Sequence, residues 1–150
     1  MTTMKASQLM TRDVYFVDPD EDLAAIWESM KMLGIRHVPV LESNKAVGMI
    51  SDRDILARAT LQGQTLVLPP LKARAAMAAP VVMCKATEPL LEVGLKMLAR
   101  KIDSVVIVDD DGELVGLVTS TDFIQLALDR EVKDLGTPPP WEFKVQPLRR

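Results

Sequence analysis

The sequence predicts a mixed α/β (α+β) fold built from two half-domains, each running strand, helix, strand, strand, helix. A repeat is the first support. Shifted by 67 positions, Ala6 to Leu56 sets Met10 on Met77, Val14 on Val81, Glu21 on Glu88, Leu23 on Leu90, Met30 on Met97 and Val38 on Val105. One added residue near Gly112 then places Gly48 on Gly116 and Asp54 on Asp122. The second support is that each copy passes from apolar residues at helical spacing to runs of β-branched residues. The third is that each copy ends a strand with Gly-x-x-Ser/Thr-x-x-Asp, as GMISDRD and GLVTSTD. A repeat this long exceeds the roughly 20–50 residues of a solenoid unit. Each copy alone is too short for an adequate core, so the two are expected to pack into one body with paired clefts.

In the first copy Val14 to Val17 reads as a short strand, and DPDED supplies an N-cap at Asp20 with acidic residues that suit the positive end of a helix. Leu23, Ile26, Met30 and Leu33 form one apolar stripe, which Gly34 ends. In the second copy Thr87 and Pro89 open a helix that carries Leu90, Val93 and Met97 as far as Arg100. HVPVLE and SVVIVDD read as strands buried on both faces. ESNK and DDDG turn the chain into AVGMI and LVGLV, giving two antiparallel hairpins. A last helix starts at Ser51 or Thr119 and turns Ile55, Leu56 and Ala59, or Phe123, Ala127 and Leu128, inward. The chain thus divides into a first motif at 1–60, a linker at 61–72 with Gly63 and Pro69-Pro70, a second motif at 73–130 and a Pro-rich tail at 131–150. That tail reads as an extended segment with Trp141 and Phe143 as its only anchors, either a frayed terminus or an arm that packs onto a partner subunit.

Composition narrows the function. A chain of 150 residues that is 48% hydrophobic and 26% charged is ordinary for a globular protein. A net charge of -3 with scattered basic residues argues against nucleic acid as the main partner. The lone Cys84 excludes an internal disulfide framework. No apolar run approaches the roughly 20 residues that span a bilayer, and the N-terminus lacks a signal-peptide h-region, so the expectation is a cytoplasmic protein without a membrane partner. One His and one Cys make no zinc constellation, DDDGE lacks the spacing of an EF-hand loop, and no P-loop, dinucleotide or nucleophile-elbow motif occurs.

The strand-end motif carries the chemistry. Ser51 with Asp54, and Thr119 with Asp122, have the spacing of capping boxes, in which a hydroxyl and a carboxylate satisfy free backbone donors of a new helix. The same groups suit a nucleotide, because a helix N-terminus offers N–H groups to phosphate and a carboxylate accepts two hydrogen bonds from a ribose diol. The dipole supplies only about 0.3–1 kcal/mol, whereas micromolar affinity needs about 8 kcal/mol. An apolar slot for the base and cationic contacts to phosphate must supply the rest.

The repeat, the hairpins and the Gly-x-x-[Ser/Thr]-x-x-Asp motif, with GIRHVPV followed by VGMISDRDIL, closely resemble a tandem pair of cystathionine beta-synthase (CBS) domains, a Bateman module, over residues 5–130. The resemblance implies halves packed sheet to sheet about a pseudo-twofold axis and two chains associated as a flat disc. It also implies clefts that take adenosine-containing ligands (AMP, ADP, ATP or S-adenosylmethionine), in a sensor of energy or metabolite state. By the same resemblance Asp54 and Asp122 match ribose-binding carboxylates, and Ser51 and Thr119 the hydroxyls near ribose and phosphate. Arg36, His37 and Arg53 match phosphate-facing positions, Ser104 stands in the place of His37, and Val14 and Val81 border the base.

Departures from the pattern predict unequal clefts. Phe16 and Met83 stand where the family often has Thr, so the adenine edge loses a hydroxyl there. Lys101 and Val106 replace Gly and Pro, and Asp103 with Ser104 replaces the Arg-His pair, so that Asp103 repels a phosphate unless Lys101 offsets it. The leading expectation is a non-enzymatic regulatory module for an adenine nucleotide, acting on a client protein and forming a homodimer, with no further cofactor and no metal. The rival is a dimerisation scaffold whose boxes are only helix caps. An adenylate-handling enzyme with Asp54 or His37 as base lacks an oriented nucleophile and a third group.

Overall fold

The computed structural model describes residues 3–135, with side chains as far as Arg130, so Trp141 and Phe143 of the predicted arm lie outside the described residues. The first half comprises α1 (Ala6–Leu9), α2 (Leu23–Leu33), β1 (His37–Glu42), β2 (Lys45–Ser51) and α3 (Asp52–Leu56). β3 (Thr60–Gln62) and β4 (Thr65–Val67) follow. The second half comprises α4 (Ala73–Ala76), β5 (Met83–Lys85), α5 (Leu90–Arg100), β6 (Ser104–Val108), β7 (Leu114–Thr119) and α6 (Ser120–Leu135). β1 and β2 pair antiparallel, as do β6 and β7, while β5 joins β6 in parallel.

Both apolar stripes fold as helices. Leu23, Ile26 and Met30 of α2, and Leu90, Val93 and Met97 of α5, are buried. Gly34 caps α2 in the left-handed region at φ 65°, and Lys101 takes the same conformation after α5 at φ 53°. The glycine that the family pattern wants at Lys101 is therefore replaced at some steric cost, with no change in the backbone path. The N-cap of α2 is Asp22 rather than Asp20. Asp20 is used otherwise: its N–H donates to Asp18 Oδ1 at 2.8 Å and its carboxylate pairs with Arg74 at 3.0 Å.

Two other expectations change, and the linker between the motifs gains a hairpin of its own. Val14 to Val17 shrinks to a single parallel bridge between Val17 and Val40, where its counterpart β5 is a true strand. Pro39 explains this. In the second half Val106 N–H donates to the Val82 carbonyl at 3.3 Å, and Pro39, in the position of Val106, has no N–H to give. The segment read as a linker contains the β3–β4 hairpin, turned at Gly63. Finally, α3 ends at Leu56, leaving Ala59 beyond it, and Leu56, Ala127 and Leu128 are exposed, with only Ile55 of the first helix fully inward.

The leading segments of the two halves exchange. Ala6 N–H donates to the Glu88 carbonyl at 2.9 Å and Leu90 N–H to the Met4 carbonyl at 2.7 Å. In the other half Ala73 N–H donates to the Glu21 carbonyl and Leu23 N–H to the Leu71 carbonyl, both at 2.9 Å. Further on, Thr11 bridges Leu117 and Ala78 bridges Met49, again as counterparts. Ala6 and Met10 therefore belong to the core of the second half with Val93, Val105, Ile107 and Val118, while Ala73 and Ala76 belong to that of the first with Ile26, Val38, Ile50 and Ile55. This crossing explains the motif glycines. A Cβ on Gly48 would run into the Met77 side chain, and one on Gly116 would lie 2.5 Å from Met10 Sδ. A third cluster of Val106, Val108 and Leu117, with Val14, Met49 and Val81 packed on it, joins the two hairpins face to face. No helix of the described residues is long and apolar enough to cross a membrane.

Candidate functional site

Both boxes form. Ser51 caps α3: its Oγ accepts from Asp54 N–H at 3.1 Å, while Asp54 Oδ2 accepts from Ser51 N–H at 2.8 Å and from its hydroxyl at 2.9 Å. At the start of α6, Asp122 Oδ2 accepts from Thr119 N–H at 2.8 Å and from the Thr119 hydroxyl at 3.1 Å. In each case Oδ2 serves the box, and Oδ1 makes no hydrogen bond among the described residues. One further bond pins each box beneath the opposite strand start: Asp52 N–H donates to the Arg36 carbonyl and Ser120 N–H to the Asp103 carbonyl, both at 2.9 Å.

Two clefts flank this arrangement. The first, of about 510 Å³, is lined by Val14, Ile35 and Leu117 on its apolar side and by Arg36, Arg53 and Thr119 on its polar side. The second, of about 300 Å³, is lined by Val81, Ile102 and Met49 and by Ser51, Asp54 and Ser104. Both volumes fall within the roughly 300–1,000 Å³ of small-molecule sites. They are related by the repeat. Val14 and Tyr15 of the first become Val81 and Val82 of the second; Gly34, Ile35 and Arg36 become Lys101, Ile102 and Asp103; Leu117 and Thr119 become Met49 and Ser51. The exchanged segments deliver Val14 and Val81 to their clefts, since Thr11 and Ala78 bridge the opposite hairpin just before them.

Nine of the ten candidate residues line a cleft. Val14, Arg36 and Thr119 line the first, Ser51, Asp54, Val81 and Ser104 the second, and His37 and Arg53 both. Asp122 lines neither; its neighbours Thr119, Ser120 and Thr121 do, and its carboxylate is held back in the box. Tyr15, unremarked in the sequence, also lines the first cleft, with its hydroxyl 3.0 Å from Ser29 Oγ. Phe16 and Met83 are exposed and outside the linings. Asp103, expected to repel phosphate, borders both clefts.

The charges are unevenly placed. Arg36 Nε lies 3.2 Å from Asp52 Oδ2, whereas the Arg53 side chain makes no hydrogen bond or ion pair among the described residues. Burial lowers the pKa of His37 below its ordinary value, the Arg36 charge acting the same way and Asp103, Asp52 and Asp54 opposing. The unfolded chain therefore binds a proton at higher pH than the fold does. His37 contributes its stability in full above about pH 6.5, and this erodes as pH falls below that value. Denaturation midpoints measured from pH 7.5 to pH 5.5 are expected to fall more steeply for the wild type than for His37→Gln. Cys84 is buried, and burial with a hydrogen bond to Glu88 pushes its thiol up to about 11, so it stays neutral. Among the described residues no group of three or more His, Cys, Asp or Glu is placed to hold a metal ion.

Comparison with known proteins adds family and fold. The CBS domain profile matches residues 6–60 and 73–129. The uncharacterized protein MK0525 of Methanopyrus kandleri is 29% identical over 127 residues, covering 84% of this chain and 64% of that protein. An inosine-5'-monophosphate dehydrogenase of Methanocaldococcus jannaschii is 29% identical over 122 residues, covering 81% of this chain but 23% of the enzyme. The chain thus spans less than two thirds of either relative. Among solved structures, a Vibrio cholerae protein provisionally assigned to acetoin utilization (AcuB) superposes with a TM-score of 0.73 at 28% identity, covering 91% of this chain and all of its own. The CBS domain pair of protein MJ0100, solved with 5-methylthioadenosine and S-adenosyl-L-methionine, has a TM-score of 0.73 at 22% identity, covering 86% of this chain and 99% of its own. CBSX2, solved with AMP, has a TM-score of 0.73 at 20% identity, covering 85% of this chain and 98% of its own.

Proposed function

This chain belongs to the CBS domain family, and on that footing we propose that it is a regulatory module that binds an adenosine-containing ligand, AMP, ADP, ATP or S-adenosylmethionine, in the clefts between its halves. It reports occupancy to a client protein and catalyses no reaction. The carrying observation is the first cleft, where Arg53 and Arg36 face the Thr119 end of α6 across a wall of Val14, Ile35 and Leu117. That supplies what the dipole alone lacks: cations for phosphate, and an apolar wall for a flat base. The solved relatives that hold adenosine compounds support the same reading. Calorimetric titration with the four ligands tests it. Binding in the micromolar range is expected from at least one; no heat from any of them at high micromolar concentration would reject the sensor.

We place the homodimer on a separate face. Leu91, Leu95 and Leu98 of α5, at spacings of four and three, are 70%, 55% and 78% exposed, and Ile124 and Leu128 of α6 are exposed as well. A stripe of this kind suits association with an identical stripe on a second copy. Sedimentation is expected to show a dimer that Leu95→Lys with Leu98→Lys converts to monomer; a wild-type monomer at tens of micromolar would exclude it.

A further inference from the structure

We propose that the two clefts compete for a single arginine, so that a phosphate bound in one weakens phosphate binding in the other. The inference rests on the adenosine-ligand reading and adds its regulation. Arg53, His37 and Asp103 border both cavities. Two true copies of the motif would carry two such arginines, one for each cleft. Here the counterpart of Arg53 is Thr121, which lines the first cleft alone, and the counterpart of His37 is Ser104, without charge.

The remaining cations do not replace it. Arg36, the private cation of the first cleft, already pairs with Asp52 at 3.2 Å. Lys101, which lines the second cleft and not the first, shares that lining with the carboxylates of Asp103 and Asp54. Arg53 is therefore the one arginine at the shared wall without an ion-pair partner among the described residues, and a guanidinium that forks around one phosphate is withdrawn from the other. The first cleft, larger and with Arg36 beside it, takes Arg53 first. A hydrogen bond to a charged group contributes about 1.5–3 kcal/mol, which is about tenfold or more in affinity.

Titration calorimetry on the full chain with AMP, and with adenosine as the phosphate-free probe, tests the competition in the wild type and in Thr121→Arg. AMP is expected to bind the wild type in two steps at least tenfold further apart than those of adenosine. Thr121→Arg, which gives the first cleft an arginine of its own and releases Arg53, should bring the AMP steps to within about threefold of the adenosine spacing. Equal AMP steps in the wild type, the same separation for adenosine as for AMP, or an AMP separation unmoved by Thr121→Arg would each overturn the shared arginine while leaving adenosine binding intact. Silence from both probes, and from ADP, ATP and S-adenosylmethionine as well, would instead remove the underlying reading and the competition with it.

Discussion

Met10→Ala is expected to lower the free energy of unfolding by about 2–5 kcal/mol in urea denaturation, the range for emptying a buried methionine site. By sequence Met10 stands at the head of the first motif, yet it is 8% exposed within the core of the second, against Val93, Val105 and Val118. Gly116→Ala is expected to cost about 1–3 kcal/mol by overpacking, because the new Cβ would fall 2.5 Å from Met10 Sδ and 2.7 Å from its Cγ. The double variant decides whether this contact is real. Shortening Met10 clears most of the space that a methyl group on Gly116 would need, so the combined loss should fall short of the sum of the two single losses. Strict additivity would mean that the N-terminal segment does not lie on Gly116, and the crossing of the halves would have to be abandoned. The corresponding cycle on the other side uses Met77 and Gly48.

Much of this fold was readable because its signals are local. The stripes of α2 and α5, the hairpin turn at Ser43 and Asn44 and the Ser51 and Thr119 boxes each state their structure within a dozen residues. The crossing was not. Its carriers, α1 and α4, are four residues long and show no periodicity, and in a duplicated sequence Ala6 satisfies the pattern equally well on its own half or on the other. The short first strand departs from its local signal for a different reason: Tyr15 and Phe16 have β propensity, but the donor that would extend the ladder is missing at Pro39, far along the chain. At the site, the type of each residue was legible and its cleft was not. The sequence set Arg36, His37 and Arg53 together; only the packing of the halves put Arg53 and His37 on a wall common to both cavities and left Asp122 behind its own cap.

A nucleotide at 1,000 times its dissociation constant is expected to stabilise the protein by about 4.1 kcal/mol, which raises the melting midpoint by roughly 8–16 °C at about 2–4 °C per kcal/mol. This result separates the sensor from a scaffold in which the boxes are only caps, provided that two variants are measured beside it. Arg53 is exposed and its side chain makes no ion pair among the described residues, so Arg53→Ala should leave the ligand-free midpoint nearly unchanged, as surface substitutions do within about 0.5 kcal/mol. In the presence of nucleotide it should remove about 1.5–3 kcal/mol of the stabilisation, the contribution of one hydrogen-bonded charge. Asp54→Ala behaves in the opposite way at the start, since it breaks the Ser51 box and costs about 1 kcal/mol without any ligand. A scaffold would show the Asp54 loss and no nucleotide shift in any form of the protein. The sensor requires that the Arg53 variant melt like the wild type when empty and lag behind it when nucleotide is added, a difference that no loss of a helix cap produces.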